Sequence, residues 1–95
     1  MPVYIVANHV VNDPQLLEEY LQTAGSTMGT VPVKVLAADL ASKPVEGTPR
    51  GARTVILEFE SEEDFRTWYD SPGYQAAVGK RLAATDGFSV LVQGL

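Results

Sequence analysis

An α+β fold, a four-stranded antiparallel sheet with its helices on one face, is what this sequence predicts. Three observations predict it. Four runs rich in β-branched and aromatic residues alternate with amphipathic stretches in the order β-α-β-β-α-α-β. Two of the helical stretches open on an N-cap acceptor followed by proline, Asp13-Pro14 and Ser71-Pro72. The chain of 95 residues allows one domain, 1–95, with one core.

The elements follow in order. Residues 3–10 read as the first strand. After Asp13-Pro14, Leu16, Leu17, Tyr20, Leu21 and Ala24 recur at helical spacing, with Glu18, Glu19 and Gln22 off that stripe. Gly25 and Gly29 mark the helix end. Residues 33–40 read as the second strand. Residues 41–52 hold Pro44, Gly47, Pro49 and Gly51 and read as a loop, long for a hairpin. Residues 53–60 give the third strand, centred on Val55, Ile56, Leu57 and Phe59. Ser61 to Asp64 resembles a capping box with Asp in the place of Glu. The short helix behind it presents Phe65, Trp68 and Tyr69. The helix after Ser71-Pro72 carries Tyr74, Ala77, Val78, Leu82 and Thr85 on one side. Asp86-Gly87 is expected to stop it, and residues 88–93 form the last strand.

This order is the split β-α-β arrangement of the ferredoxin-like type. Right-handed crossovers put every helix on one face of the sheet. The other face should then alternate with polar residues. It does so poorly. Val3, Ile5 and Ala7 oppose Tyr4, Val6 and Val10. Val55, Leu57 and Phe59 oppose Thr54, Ile56 and Glu58. Phe88, Val90 and Val92 oppose Ser89, Leu91 and Gln93. A half-apolar open face points to a homodimer in which a second copy covers it.

Composition excludes several classes. The net charge is −5, from 12 acids against 7 scattered bases, which argues against nucleic acid as a partner. No apolar run approaches the roughly 20 residues of a membrane span, so no membrane partner is expected. There is no cysteine and one histidine, His9, so no metal site is expected. The start lacks a basic signal region, and a cytoplasmic location follows as the expectation. No phosphate loop, dinucleotide fingerprint or histidine-rich motif exists, so no cofactor is expected.

The run Trp68-Tyr69-Asp70-Ser71-Pro72-Gly73-Tyr74-Gln75 resembles the bacterial family called domain of unknown function 1330, of the dimeric α+β barrel superfamily. The strand led by Arg53 and ending in Glu58-Phe59, the Asp13-Pro14 start with Tyr20, Arg81 and Gly94 resemble that family too. The resemblance covers nearly the whole chain. It implies the ferredoxin-like fold and the dimer, and it implies no reaction. One stretch departs. Where the family commonly has Gly-Gly-Arg, this chain has Gly29-Thr30-Val31-Pro32-Val33, so a role of that arginine does not carry over.

Candidate site residues come from the residue types. Arg81 falls on the inward stripe of the last helix while Lys80 points away. An inward guanidinium is either an anion clamp or one half of a structural pair, and a pair with Glu58, Asp70 or helix-end carbonyls is the favoured expectation. Arg53, at the head of the third strand, is the second candidate anion holder. Glu58 is a candidate proton acceptor, with pairing to Arg53 or Arg81, or an interface hydrogen bond, as the favoured role. His9 is a candidate general base, set against a solvated or capped strand-end histidine. Trp68, Tyr69 and Tyr74 could line an aromatic pocket with polar tips, although core packing with bonded hydroxyls is the simpler account. Ser71 is an N-cap. These residues support three functions: binding of a small organic molecule in a cleft between sheet and helices, a cofactor-free enzyme of the monooxygenase or isomerase kind with His9 or Glu58 as base, or a ligand-free interaction dimer.

Overall fold

The computed structural model describes all 95 residues. Its elements are β1 (Val3–Val11), α1 (Pro14–Gly25), β2 (Val33–Asp39), β3 (Arg53–Phe59), α2 (Glu62–Tyr69), α3 (Pro72–Ala84) and β4 (Thr85–Gln93). They give one antiparallel sheet in the order β2-β3-β1-β4. This is the ferredoxin-like α+β arrangement that the sequence predicts.

The caps work as the sequence implies. The Asp13 carboxylate accepts from Leu16 N–H at 3.0 Å, and the Ser61 hydroxyl accepts from Asp64 N–H at 3.1 Å. The Ser71 hydroxyl accepts from Tyr74 N–H at 3.3 Å. Each satisfies a donor that the first helical turn leaves free.

Strand periodicity then sorts the side chains. Val3, Ile5, Ala7 and His9 of β1 share a face with Phe59, Leu57, Val55 and Arg53, their register partners on β3. That face carries the helices: Val3 and Phe59 join Leu17 and Tyr20 of α1, Phe65 and Trp68 of α2, and Ala77 and Val78 of α3 in one buried cluster. The opposite face shows Tyr4, Val6, Asn8 and Val10 beside Glu58, Ile56 and Thr54, and Val92, Val90 and Phe88 on β4. No helix covers it. Phe88, Val90 and Val92 are 46, 45 and 42% exposed.

Two expectations need correction. Leu82 is not on the inward side of α3; it is 63% exposed. The stripe Tyr74, Ala77, Val78 continues to Arg81 and Ala84, because the spacing of three and four residues from Val78 and Ala77 selects 81 rather than 82. Asp86-Gly87 does not form a stop before the strand. Helix α3 runs directly into β4, with Thr85 N–H and the Thr85 hydroxyl both donating to the Arg81 carbonyl. Asp86 and Gly87 already pair with Val10 and His9. Gly87 is needed for close approach rather than for a turn: a Cβ there would run into the Asn8 carbonyl.

The loop between β2 and β3 is tied to the polar end of the open face. Asn8 Nδ2 donates to the Gly51 carbonyl at 2.9 Å and Asn8 Oδ1 accepts from Gly51 N–H at 3.1 Å. Arg50 bonds both Asp86 oxygens at 3.0 Å. A bulge at Leu36 shifts the register of β2 against β3, so the edge strand is irregular, as edge strands often are. No helix is long and apolar enough to cross a membrane.

Candidate ligand-binding site

The helix-bearing side of the sheet is not filled from end to end. A cavity of about 230 Å³ lies between sheet and helices. Its floor is Ile5, Ala7, Val55 and Leu57. Its walls are Phe65, Trp68 and Tyr69 of α2 and Tyr74 of α3, and its polar end holds His9, Arg53 and Arg81 with Tyr20 of α1. A more polar recess of about 380 Å³ adjoins it and shares His9, Arg81, Tyr69 and Ser89.

Six of the seven residues singled out in the sequence therefore come together: His9, Arg53, Trp68, Tyr69, Tyr74 and Arg81. Glu58 does not join them. Strand alternation turns it to the open face, between Tyr4 and Lys34, where Lys34 Nζ lies 3.8 Å away. The Glu58 carboxylate beside Tyr4 raises that phenol above its usual range. The expected pairing of Glu58 with Arg53 or Arg81 is thereby corrected: those arginines are on the other side of the sheet.

The aromatic walls are fixed by their polar tips. Trp68 Nε1 donates to the Thr27 hydroxyl at 2.9 Å, and the Thr27 hydroxyl in turn donates to the Ala24 carbonyl at 2.6 Å. The Tyr20 and Tyr74 hydroxyls bond each other at 2.8 Å. The Trp68 and Tyr74 rings are 4.0 Å apart between centroids, and Tyr69 and Tyr74 5.3 Å. Burial, then the neighbouring Tyr20, pushes the Tyr74 phenol well above its usual range, so it stays a neutral donor.

The polar end is electrostatically incomplete. His9 is 4% exposed and Arg53 and Arg81 are each 8% exposed. The expectation of a solvated or capped His9 gives way to a ring held between two guanidiniums. Arg53 Nη1 lies 3.4 Å from Nδ1, and Arg81 Nη1 lies 3.2 Å from Nε2. Burial, then Arg81 and Arg53, with Asp86 opposing, pushes the imidazole down to about 4. It is neutral at pH 7, with one N–H and one lone pair. It can accept from only one of the two arginines.

No carboxylate makes up the difference. The three ion pairs of the protein are Lys34–Glu58, Arg50–Asp86 and Lys80–Glu19. Arg81 therefore has neither Glu58 nor Asp70 as partner, contrary to the favoured expectation, and its Nε is buried with no acceptor. Its guanidinium stands over the Tyr20 ring at 5.8 Å. Burial lowers the Arg53 pKa, yet a guanidinium remains charged. Two buried cations without a counter-ion are costly by several kcal/mol in general, and such a cost is typically retained where an anion has to bind.

Among the polar lining residues, sequence reasoning did not single out Tyr20, Arg66 and Ser89 as site residues. Tyr20 carried the one usable signal: a hydroxyl on the inward stripe of α1 has to meet a partner inside. Arg66 stacks over Phe65 at 5.3 Å beside the cavity, and nothing in the local sequence marks it.

Comparison with known proteins agrees on the fold. A protein of unknown function from Rhodopseudomonas palustris superposes with a TM-score of 0.81 at 18% identity, over 99% of this chain and 82% of that one. SnoaB from Streptomyces nogalater, described as a cofactor-independent oxygenase, gives 0.66 at 13% identity, over 99% and 93%. A dimeric ferredoxin-like protein of unknown function from Thermobifida fusca gives 0.65 at 20% identity, over 99% and 90%. Likeness at such identities carries the fold and not the activity. No curated protein matches the chain by sequence. The family model described as Domain of unknown function (DUF1330) matches residues 2–95, and the chain belongs to that family.

Proposed function

We propose that the protein binds a small organic acid in the cleft between sheet and helices, with its anionic group against Arg53 and Arg81 and its apolar body against the wall that Trp68, Tyr69 and Tyr74 form. The observation that carries this reading is the pair of buried guanidiniums facing a cavity with no carboxylate of the chain within ion-pair distance of either. An arginine in such a place binds a carboxylate with charge-assisted, forked hydrogen bonds. Calorimetric titration with benzoate, and with benzamide as the uncharged control, tests it. Benzoate should bind and benzamide should not. Equal binding of the two would remove the guanidiniums from the reading.

A cofactor-free oxygenase or isomerase has less support. Glu58 lies across the sheet from the cavity, and an imidazole pushed down to about 4 is a poor base at neutral pH.

We also infer that the open sheet face pairs with a second copy. Phe88, Val90, Val92 and Val10 make it an apolar surface, and the Thermobifida fusca neighbour is described as dimeric. Light scattering should give a dimer for the native chain and a monomer for Val90→Arg. A native monomer at tens of micromolar would reject this pairing.

A further inference from the structure

Resting on the acid-binding reading above, the geometry points to a more specific ligand: a single-ring molecule with two separate acidic oxygen groups, one for each arginine. The two guanidiniums do not converge. They approach different nitrogens of the His9 ring, Nδ1 and Nε2, whose outward directions diverge. The imidazole stands between them as a spacer, and it is locked there by burial. A single carboxylate taken by Arg81 leaves Arg53 with the imidazole lone pair but no counter-ion, and the reverse placement leaves Arg81 in the same state.

The charge balance gives the same answer. Two fixed cations and a neutral imidazole face the space, and the acids nearest the site are engaged elsewhere. Asp86, on β4 beside His9, is held by Arg50 through both oxygens. Two ligand anions give each guanidinium a counter-ion, and one leaves a guanidinium without. The unpartnered Arg81 Nε supplies a further buried donor waiting for an acceptor. His9 adds selectivity, because its single N–H can donate to one ligand oxygen once that oxygen displaces a guanidinium from the ring nitrogen.

Size limits the remainder of the ligand. An apolar cavity of about 150 Å³ accommodates benzene. The cavity here, about 230 Å³, is large enough for one ring with two small substituents. Its walls offer ring faces at Trp68, Tyr69 and Tyr74, which suit a flat ring.

Titration calorimetry with benzoate, 3-hydroxybenzoate and benzene-1,3-dicarboxylate tests the inference on the wild-type protein. The dicarboxylate should bind at least about tenfold more tightly than benzoate, one tenfold step being about 1.4 kcal/mol. Arg53→Met and Arg81→Met should each bring the dicarboxylate down to the benzoate level, with near-ultraviolet circular dichroism of Trp68 reporting that the fold is kept. Benzoate binding as tightly as the dicarboxylate would overturn the two-group ligand and leave the acid-binding reading standing. Binding of neither acid at millimolar concentration would overturn both. The wild-type comparison decides the matter even if an arginine variant fails to fold.

Discussion

The two ends of the β1–β3 ladder are built from the same backbone geometry and opposite chemistry. Val3 pairs with Phe59 at one end and His9 pairs with Arg53 at the other, six residues apart along β1, or about 20 Å at ~3.3 Å per residue. Both ends lie under the helices. At the first, Val3 and Phe59 are 1 and 0% exposed and meet Phe65 and Trp68. At the second, burial is nearly as deep, but the buried groups are an imidazole and two guanidiniums with one another for partners. One end stabilises the fold. The other leaves two buried guanidiniums without a carboxylate, which is where our proposal seats a ligand anion.

The largest expected effect breaks the apolar end. Phe59 is fully buried and touches two aromatic rings, Phe65 at 5.4 Å and Trp68 at 5.5 Å between centroids. Phe59→Ala removes that area and leaves a hole, which generally costs about 3–5 kcal/mol. In a chain of 95 residues this is a large share of total stability. Urea denaturation should show the midpoint collapse. A loss below about 1 kcal/mol would mean that this end is not the stability centre.

Next comes acid. The folded His9 titrates near 4 because of burial and the arginines on α3 and β3, against the pull of Asp86 on β4, while the facing Tyr74 of α3, its phenol pushed up by burial, stays neutral. Unfolded, it titrates near 6.5. Between those values the unfolded chain binds more protons, so stability rises with pH there. It is complete above about pH 6.5 and falls as pH drops toward 4, by an amount on the order of 2–3 kcal/mol at ~1.4 kcal/mol per unit. Denaturation at pH 7 and pH 4.5 should show this loss in the native chain and a smaller one in His9→Gln. Parallel pH profiles for the two would show that the imidazole is not held neutral.

The two ends also differed in how legible they were. The apolar end was readable because it obeys periodicity: Val3, Phe59, Phe65 and Trp68 fall on the strand and helix stripes that local spacing marks. So was Arg81, which lies on the stripe of α3. The state of the basic end was not readable. Whether Arg81 meets a carboxylate depends on Arg50 reaching Asp86 across 36 positions, which is not local, whereas the face of Glu58 followed from strand alternation alone. His9 looked like an exposed strand end because β1 extends to Val11 and α3 passes over it, a tertiary fact. Leu82 was misplaced for the converse reason: hydrophobic character suggested burial, while helix geometry gave the inward position to a charged residue.

A smaller effect sharpens the comparison at the wall that joins the two ends. Trp68 reaches the Thr27 hydroxyl, which is itself buried. Thr27→Val keeps the shape and deletes the acceptor. The indole N–H is then left unpaired inside, at a cost of about 1–3 kcal/mol. Thermal unfolding followed by Trp68 fluorescence should detect the loss, and an unchanged midpoint would show that the indole finds another acceptor.

The smallest expected change has the most telling sign. Arg81→Met in the ligand-free protein keeps most of the side-chain stem and deletes a buried charge that no carboxylate of the chain neutralises. Replacing buried ionic groups by apolar ones of similar volume is often neutral or stabilising. The ring of His9 loses one guanidinium, and with it part of the force that depresses its protonation. The thermal midpoint at pH 7 should therefore stay level or rise, by the equivalent of about 1 kcal/mol, while the same change weakens dicarboxylate binding to the benzoate level. A truncation of equal depth at Phe59 moves stability sharply down, so the two variants measured side by side separate an end that stabilises the fold from an end that serves a ligand. A fall of several kcal/mol in Arg81→Met would instead place this guanidinium among the structural groups.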